Sequence, residues 1–114
     1  MQFKENNNYE KRLNESSNII KKYPDRIPII VEKFKGCKLN TIDKTKYLVP
    51  KDMTMGQFTY IIRKRIELKS CQSIFITVNG LLAPSAEPVS SIYERRKDED
   101  GFLYIIYTSE NTFG

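Results

Sequence analysis

The chain has 114 residues, of which 39% are hydrophobic and 29% charged, and its formal net charge is +5. This length and composition are typical of one soluble domain with a modest hydrophobic core. The sequence contains no histidine, which excludes Ser-His-Asp and Cys-His catalysis and the usual histidine-containing zinc sites. It also lacks a glycine-rich phosphate loop and any apolar run near the ~20 residues that cross a bilayer. We therefore expect no enzyme activity, cofactor or metal.

The charge is unevenly distributed along the chain. Residues 1–65 contain 15 lysines and arginines against 7 acidic residues, whereas residues 66–114 contain 4 against 7. A basic half can bind nucleic acid, an anionic membrane or an acidic partner, although solvated lysines on exposed faces are the simplest explanation. Because the sequence has no recognition-helix motif and no clustered aromatic residues on a strand, we expect no specific nucleic-acid partner.

Two cysteines, Cys37 and Cys71, occur without any metal-ligand spacing. No apolar stretch follows the first charged residues, so the N-terminal segment does not resemble a secretory signal. We therefore expect two reduced thiols, buried or half-buried, in a cytoplasmic protein. The acidic residues 98–100 are expected to lie in a solvated loop.

The first predicted element is a polar helical region over residues 4–22. Its asparagines and serines are mediocre helix formers, which favours two short helices over one long helix. Pro24 ends the region, because the residue before a proline avoids the α conformation. We expect residues 1–24 to form a helical extension that contributes little to the core.

An antiparallel pair of strands comes next. Residues 27–34 are rich in β-branched side chains and predict a strand that begins just after Pro28. Residues 46–49 predict a second, shorter strand that is stopped by Pro50. The intervening residues 35–45 contain turn-forming side chains and are expected to form the connecting loop.

The clearest local signal is a helix over about residues 55–68. Thr54 and Gln57 have the spacing of a capping box, in which each side chain bonds the other's backbone N–H. The apolar residues that follow recur at helical spacing and line one face: Phe58, Ile61, Ile62 and Ile66. The basic residues 63–65 fall on the other sides of the helix and suit its C-terminal dipole.

A second pair of strands completes the pattern. Residues 73–78 predict a strand, and the following Asn79-Gly80 pair is a strong tight-turn signal that allows a brief return strand at 81–82. A short helix is predicted around residues 92–93. Residues 102–107 predict the last main strand, whose continuous apolar character indicates a central position covered on both faces.

This order of elements predicts an α+β fold, a ubiquitin-like β-grasp. It consists of a four-stranded mixed sheet with a crossing helix, plus two short N-terminal helices. We expect the β-grasp domain over residues 25–109 and a flexible C-terminal tail over residues 110–114. A terminal glycine lets a tail lie extended in a narrow slot with its carboxylate unobstructed, although a frayed terminus is the plainer alternative.

Several sequence blocks closely resemble the autophagy ubiquitin-like modifiers of the GABARAP type. They are KKYPDRIPIIVEK at residues 21–33, KYLVP at 46–50, IRKRI at 62–66 and DEDGFLY at 98–104. The resemblance covers essentially the whole chain in the same order.

The resemblance implies a modifier that is joined to a lipid. Family members are processed and delipidated by a cysteine protease, activated with ATP by an activating enzyme, and passed as thioesters to conjugating enzymes. Their C-terminal glycine is then joined to phosphatidylethanolamine. Gly114, preceded by Phe113, matches that terminus, and whether this glycine is encoded or exposed by processing is open. The implied location is the cytoplasm and, after lipidation, the autophagosome membrane.

The resemblance also implies docking of cargo receptors through short aromatic-x-x-aliphatic motifs, which add as a strand to the sheet edge. The matching first pocket consists of Glu15, Ile19, Pro28, Ile30, Lys46, Leu48 and Phe102. The matching second pocket consists of Tyr47, Val49, Pro50, Phe58, Ile61, Ile62 and Arg65. Two alternatives stay open: the apolar members are ordinary core residues, or the protein is a peptide-docking trafficking adaptor of this fold that is never lipidated.

Overall fold

The protein is described here from a computed structural model over residues 1–109. The helices in this range are α1 (Gln2–Asn6), α2 (Tyr9–Lys22), α3 (Met55–Arg65) and α4 (Val89–Arg96). The strands are β1 (Arg26–Lys33), β2 (Lys46–Pro50), β3 (Phe75–Val78), β4 (Leu81–Leu82) and β5 (Leu103–Thr108). The predicted tail, residues 110–114, lies outside the described residues.

The strands form one mixed sheet in the order β2-β1-β5-β3-β4. β1 pairs with β2 antiparallel and with β5 parallel, while β3 is antiparallel to both β4 and β5. The predicted β-grasp and the central position of β5 are therefore confirmed. Over residues 1–109 the sheet has five strands and not four, because the tight turn at Asn79 (φ 54°) and Gly80 (φ 77°) returns the chain into the two-residue β4.

The two faces of the sheet are covered differently. α3 packs on one face, where Phe58 and Ile62 are fully buried in the main core with residues of β1 and β5 such as Ile29 and Ile105. The other face carries a smaller apolar cluster, formed by Ile30, Phe102 and Tyr104 with Phe3 and Ile19 packed against it. This smaller cluster, which we call the N-terminal cluster, joins α1 and α2 to the sheet.

The N-terminal region forms two helices, as its composition predicts. They are separated at Asn7 and Asn8, and the Asn8 side chain caps α2 by accepting the Lys11 N–H at 2.8 Å. α2 ends at Lys22, just before Pro24, as expected. Ser16 is the one buried residue of α2, and α1 has none, so the two helices contribute only half-buried apolar side chains.

Several predicted boundaries were wrong, those of β1 and α3 for clear physical reasons. β1 begins at Arg26, two residues before Pro28 and not after it. Pro28 is tolerated because its nitrogen faces β5, with which pairing begins only at Ile29. α3 ends at Arg65 and not near residue 68, because Glu67 adopts the left-handed conformation (φ 56°) that terminates a helix.

The capping box of α3 is confirmed, with Gln57 N–H donating to Thr54 Oγ1 at 3.1 Å and Thr54 N–H to Gln57 Oε1 at 2.9 Å. β3 begins at Phe75, two residues later than predicted, and β5 is shifted by one residue. Both cysteines are free, but Cys71 is exposed, whereas Cys37 is partly buried. None of the helices in the described range is long and apolar enough to cross a membrane.

Candidate functional site at the edge strand β2

β2 lies at the edge of the sheet, and within residues 1–109 it pairs only with β1. The N–H of Val31 donates to the carbonyl of Thr45 at 2.8 Å, which fixes the alternation of this antiparallel ladder. The N–H and C=O groups of Lys46 and Leu48 consequently point away from β1. Pro50 ends this row because it has no N–H. The outward edge of β2 is therefore a short template on which an extended peptide can pair.

The residues of the first predicted pocket come together on the face that α2 covers. On the adjacent strands β2 and β1, Leu48 lies opposite Pro28, and Lys46 lies opposite Ile30. Ile30 packs with Phe102 and Ile19 in the N-terminal cluster. Glu15 of α2 forms an ion pair with Lys46. β2 and α2 therefore form two sides of a shallow cleft, whose floor is formed by Ile30 of β1 and by Phe102, the residue before β5.

The floor of this cleft is closed in the structure. Ile30 and Phe102 are 0% exposed, because Phe3 and Ile19 pack over them. Among the apolar members of the set, only Ile19 and Leu48 are half-buried and reachable from solvent. Phe3 was missed by the sequence interpretation, since no local pattern connects a single N-terminal phenylalanine with a strand near residue 100.

The second predicted set lies on the opposite face, between β2 and α3. The ring of Tyr47 meets that of Phe58 edge-on, with centroids 5.3 Å apart. Tyr47, Val49, Phe58 and Ile62 are buried core residues, and Ile61 packs partly buried against them. Arg65 is exposed. Pro50 does not join this set, because strand alternation gives it to the face of Leu48.

Basic side chains flank β2 on both faces. The ammonium of Lys46 pairs with Glu15, and both side chains stay partly exposed. The Lys44 ammonium lies 5.1 Å from the Tyr47 ring centroid. Arg65 Nε bonds Asp43 Oδ1 at 3.2 Å, and this bond holds the pKa of Asp43 below its usual value. With three basic side chains against two carboxylates, the surroundings of β2 are weakly positive, and such a charge favours acidic segments chiefly by raising the association rate.

A buried ionic network fixes α2 above β5. Asp100, expected in a solvated loop, is 0% exposed, which overturns that expectation for this residue. Its Oδ2 lies 2.6 Å from Arg12 Nη1 and also accepts the hydroxyl of Tyr104, while its Oδ1 accepts the N–H of Phe102 at 2.9 Å. Burial and the bond to Asp100 raise the pKa of Tyr104. The sequence interpretation placed Asp100 in solvent because its ionic partner, Arg12, lies 88 positions away in the sequence, on α2.

The hydroxyl of Tyr47 is buried and, among the described residues, has no hydrogen-bond partner. Burial also raises the pKa of this phenol. An unpaired buried hydroxyl costs roughly 1–3 kcal/mol. We therefore expect Tyr47→Phe to increase the free energy of unfolding, measured by urea denaturation, by about 1 kcal/mol.

Tyr107→Phe is the matched control. The Tyr107 hydroxyl donates to Asn40 O at 2.7 Å and accepts the Ile42 N–H at 2.9 Å, so its removal should lower the free energy of unfolding. Equal destabilisation by Tyr47→Phe and Tyr107→Phe would show that the Tyr47 hydroxyl is satisfied.

The chain is similar to a defined set of autophagy proteins. The family model described as autophagy protein Atg8, ubiquitin-like, matches residues 11–114. Autophagy-related protein 8e of Arabidopsis thaliana is 58% identical over 112 residues, covering 98% of this chain and 92% of the relative. Autophagy-related protein 8 of Schizosaccharomyces pombe is 56% identical over 113 residues, covering 99% and 93%.

A solved structure agrees with these sequence relationships. The crystal structure of Trypanosoma brucei ATG8 superimposes with a TM-score of 0.91 at 38% identity, covering 100% of this chain and 98% of that one. The fold, the family model and the relatives all point to one assignment. This chain belongs to the Atg8 family of ubiquitin-like autophagy proteins.

Proposed function

We propose that this protein is a modifier that is conjugated through Gly114 to phosphatidylethanolamine and then recruits cargo receptors to autophagosome membranes. In this proposal residues 110–114 act as the conjugation tail and residues 25–109 as the docking domain, with residues 1–24 as a helical extension. The cysteines and proton transfers of conjugation belong to partner enzymes, in agreement with a chain that lacks histidine.

The observation that carries the docking half of the proposal is the outer edge of β2, which pairs with no strand among residues 1–109. Lys46 and Leu48 direct backbone donors and acceptors outward, so an extended peptide can add as a strand. Side chains alternate along such a peptide and reach both faces of the edge. One face has the half-buried Leu48 beside α2, and the other has Ile61 and Arg65 of α3. A peptide with an aromatic and an aliphatic residue can use both.

The conjugation half of the proposal is supported by family membership and by the sequence of the terminus. The family match extends to Gly114, and Phe113-Gly114 matches the aromatic-glycine end of the resembling modifiers. A phospholipid contributes two acyl chains, and at ~0.8 kcal/mol per buried CH₂ these suffice for stable membrane anchoring.

Reconstitution tests this proposal. The chain is incubated with activating and conjugating enzymes of the family, ATP and phosphatidylethanolamine liposomes, and its intact mass is measured. We expect an added mass of one phospholipid, and we expect Gly114→Ala to reduce this adduct below detection because a Cβ obstructs the slot that a glycine tail requires.

A Cys37→Ser/Cys71→Ser chain is the matched control and should still form the adduct, since the thioesters form on the enzymes. If the wild-type chain forms neither thioester nor adduct while another family member reacts in parallel, the lipidation proposal is wrong. The protein would then be a docking adaptor that is never lipidated.

A further inference from the structure

α1 lies on the sheet although it is short and contains no buried residue. Its N-terminus has no side-chain cap of its own. The carboxylate of Glu32 on β1 supplies one instead, accepting the N–H of Gln2 at 2.8 Å and that of Phe3 at 3.1 Å. Lys4 Nζ, 2.6 Å from Asp98 Oδ1, makes the second attachment. α1 is therefore held by long-range contacts and not by its own sequence.

The third attachment is the ring of Phe3. This ring packs edge-on against Phe102 with centroids 5.3 Å apart and lies 6.3 Å from Tyr104. The Lys46 ammonium lies 5.7 Å from the centre of the same ring. Phe102 and Lys46 belong to the predicted first pocket, which is expected to receive the aromatic residue of a docking peptide. The Phe3 ring therefore already contacts two residues of that pocket.

We propose that α1 is an internal plug, in which Phe3 competes with the aromatic residue of a docking peptide for the first pocket. The inference rests on the proposed peptide docking. Ile30 and Phe102 are 0% exposed because Phe3 and Ile19 cover them. A peptide ring can reach this floor only after one of the two covers moves, and Phe3 is on the smaller helix.

The contacts that hold α1 on the sheet are weak enough for the helix to detach and uncover the first pocket. Its ion pair is partly exposed, with 36% of the Lys4 side chain and 26% of the Asp98 side chain accessible, and such pairs contribute little. A surface pocket of ≈ 130 Å³ lies beside Phe3, between α1, Glu32 and Thr45, so this side of α1 faces solvent and not the core. In this proposal the peptide binds only molecules in which Phe3 has left the pocket. If such molecules are a minor fraction, the apparent affinity for the peptide is the intrinsic affinity multiplied by that fraction.

The test is a fluorescence titration with a synthetic peptide that carries acidic residues before a Trp-x-x-Leu core. Phe3→Ala is expected to bind this peptide roughly tenfold more tightly than the wild-type chain, because the competent form becomes the major one. Glu32→Gln, which weakens the cap of α1, should tighten binding by a smaller factor.

Two matched variants control for unrelated effects. Tyr60→Ala removes an exposed ring that contacts Lys64 on the outer side of α3, and Glu5→Gln removes the same charge as Glu32→Gln from an exposed site on α1. Both should bind like the wild-type chain. Unchanged or weaker binding by Phe3→Ala overturns the plug while leaving peptide docking intact. Absence of binding by every variant overturns the proposed docking itself.

Hydrogen exchange supplies a second readout on the unmodified chain. Saturating peptide should accelerate exchange of the Gln2 and Phe3 amides, because release of α1 breaks their bonds to Glu32. Unchanged protection of both amides in the peptide complex overturns the plug, whatever the affinities of the variants.

Discussion

Replacing Asp100 with alanine is expected to lower the free energy of unfolding by about 3–5 kcal/mol, the loss found when one partner of a buried ion pair is removed. Asp100 is fully buried and is bonded by Arg12, Tyr104 and the N–H of Phe102. Burial alone lowers the pKa of Arg12, but its bonds to Tyr104 and Asp100 outweigh that effect and raise it. Without the carboxylate, the Arg12 charge is left without its partner beneath α2.

Urea denaturation followed by circular dichroism measures this loss. Glu99→Ala is the matched control, because its side chain is exposed one residue away and its removal should change the free energy by less than about 0.5 kcal/mol. Arg12→Ala and the double variant complete the cycle, and the double variant should lose less than the sum of the single losses. A loss below about 1 kcal/mol for Asp100→Ala would contradict the buried network.

Replacing Leu48 with alanine is expected to weaken binding of a motif peptide by about 1–3 kcal/mol, the loss typical of a residue central to a small interface. Leu48 is half-buried on the edge strand, beside the N-terminal cluster. Its truncation removes apolar contact area for the peptide. The main core stays intact, because Leu48 does not pack in it.

Isothermal titration calorimetry with the folded variant measures the affinity. Leu81→Ala is the matched control: Leu81 is 59% exposed on β4, at the opposite edge of the sheet, and its truncation should leave the affinity unchanged. Equal affinities of Leu48→Ala and the wild-type chain would remove Leu48 from the docking site.

The elements defined by local chemistry could be predicted from the sequence. The capping box of Thr54 and Gln57, the tight turn at Asn79-Gly80 and the apolar run of β5 each depend on a few neighbouring residues. The hydrogen bonds of the capping box and the backbone angles of the turn are set within that short range, whereas β5 is marked by its apolar run alone and its hydrogen bonds go to the distant strands β1 and β3. Both pocket sets were drawn from a family resemblance and not from a local pattern, and strand alternation places Leu48 on one face of β2 and Tyr47 on the other.

The features that could not be predicted depend on distant partners. Asp100 is buried because Arg12, 88 positions away, supplies a charge. Phe3 covers the cleft because Glu32, 29 positions away, caps its helix. Neither contact has a local period or spacing. The early end of α3 is set by the backbone angle at Glu67, a residue type that rarely adopts positive φ.

Strand addition to β2 is the central structural claim, and amide hydrogen exchange of Lys46 and Leu48 tests it most directly. Both N–H groups point away from β1, and the outward carbonyl of Leu48 accepts a long bond of 3.3 Å from Arg26 Nη1. Saturating motif peptide should slow exchange of the Lys46 and Leu48 amides, since they become donors to the added strand. Unchanged exchange of these two amides in a saturated complex would contradict docking at the β2 edge.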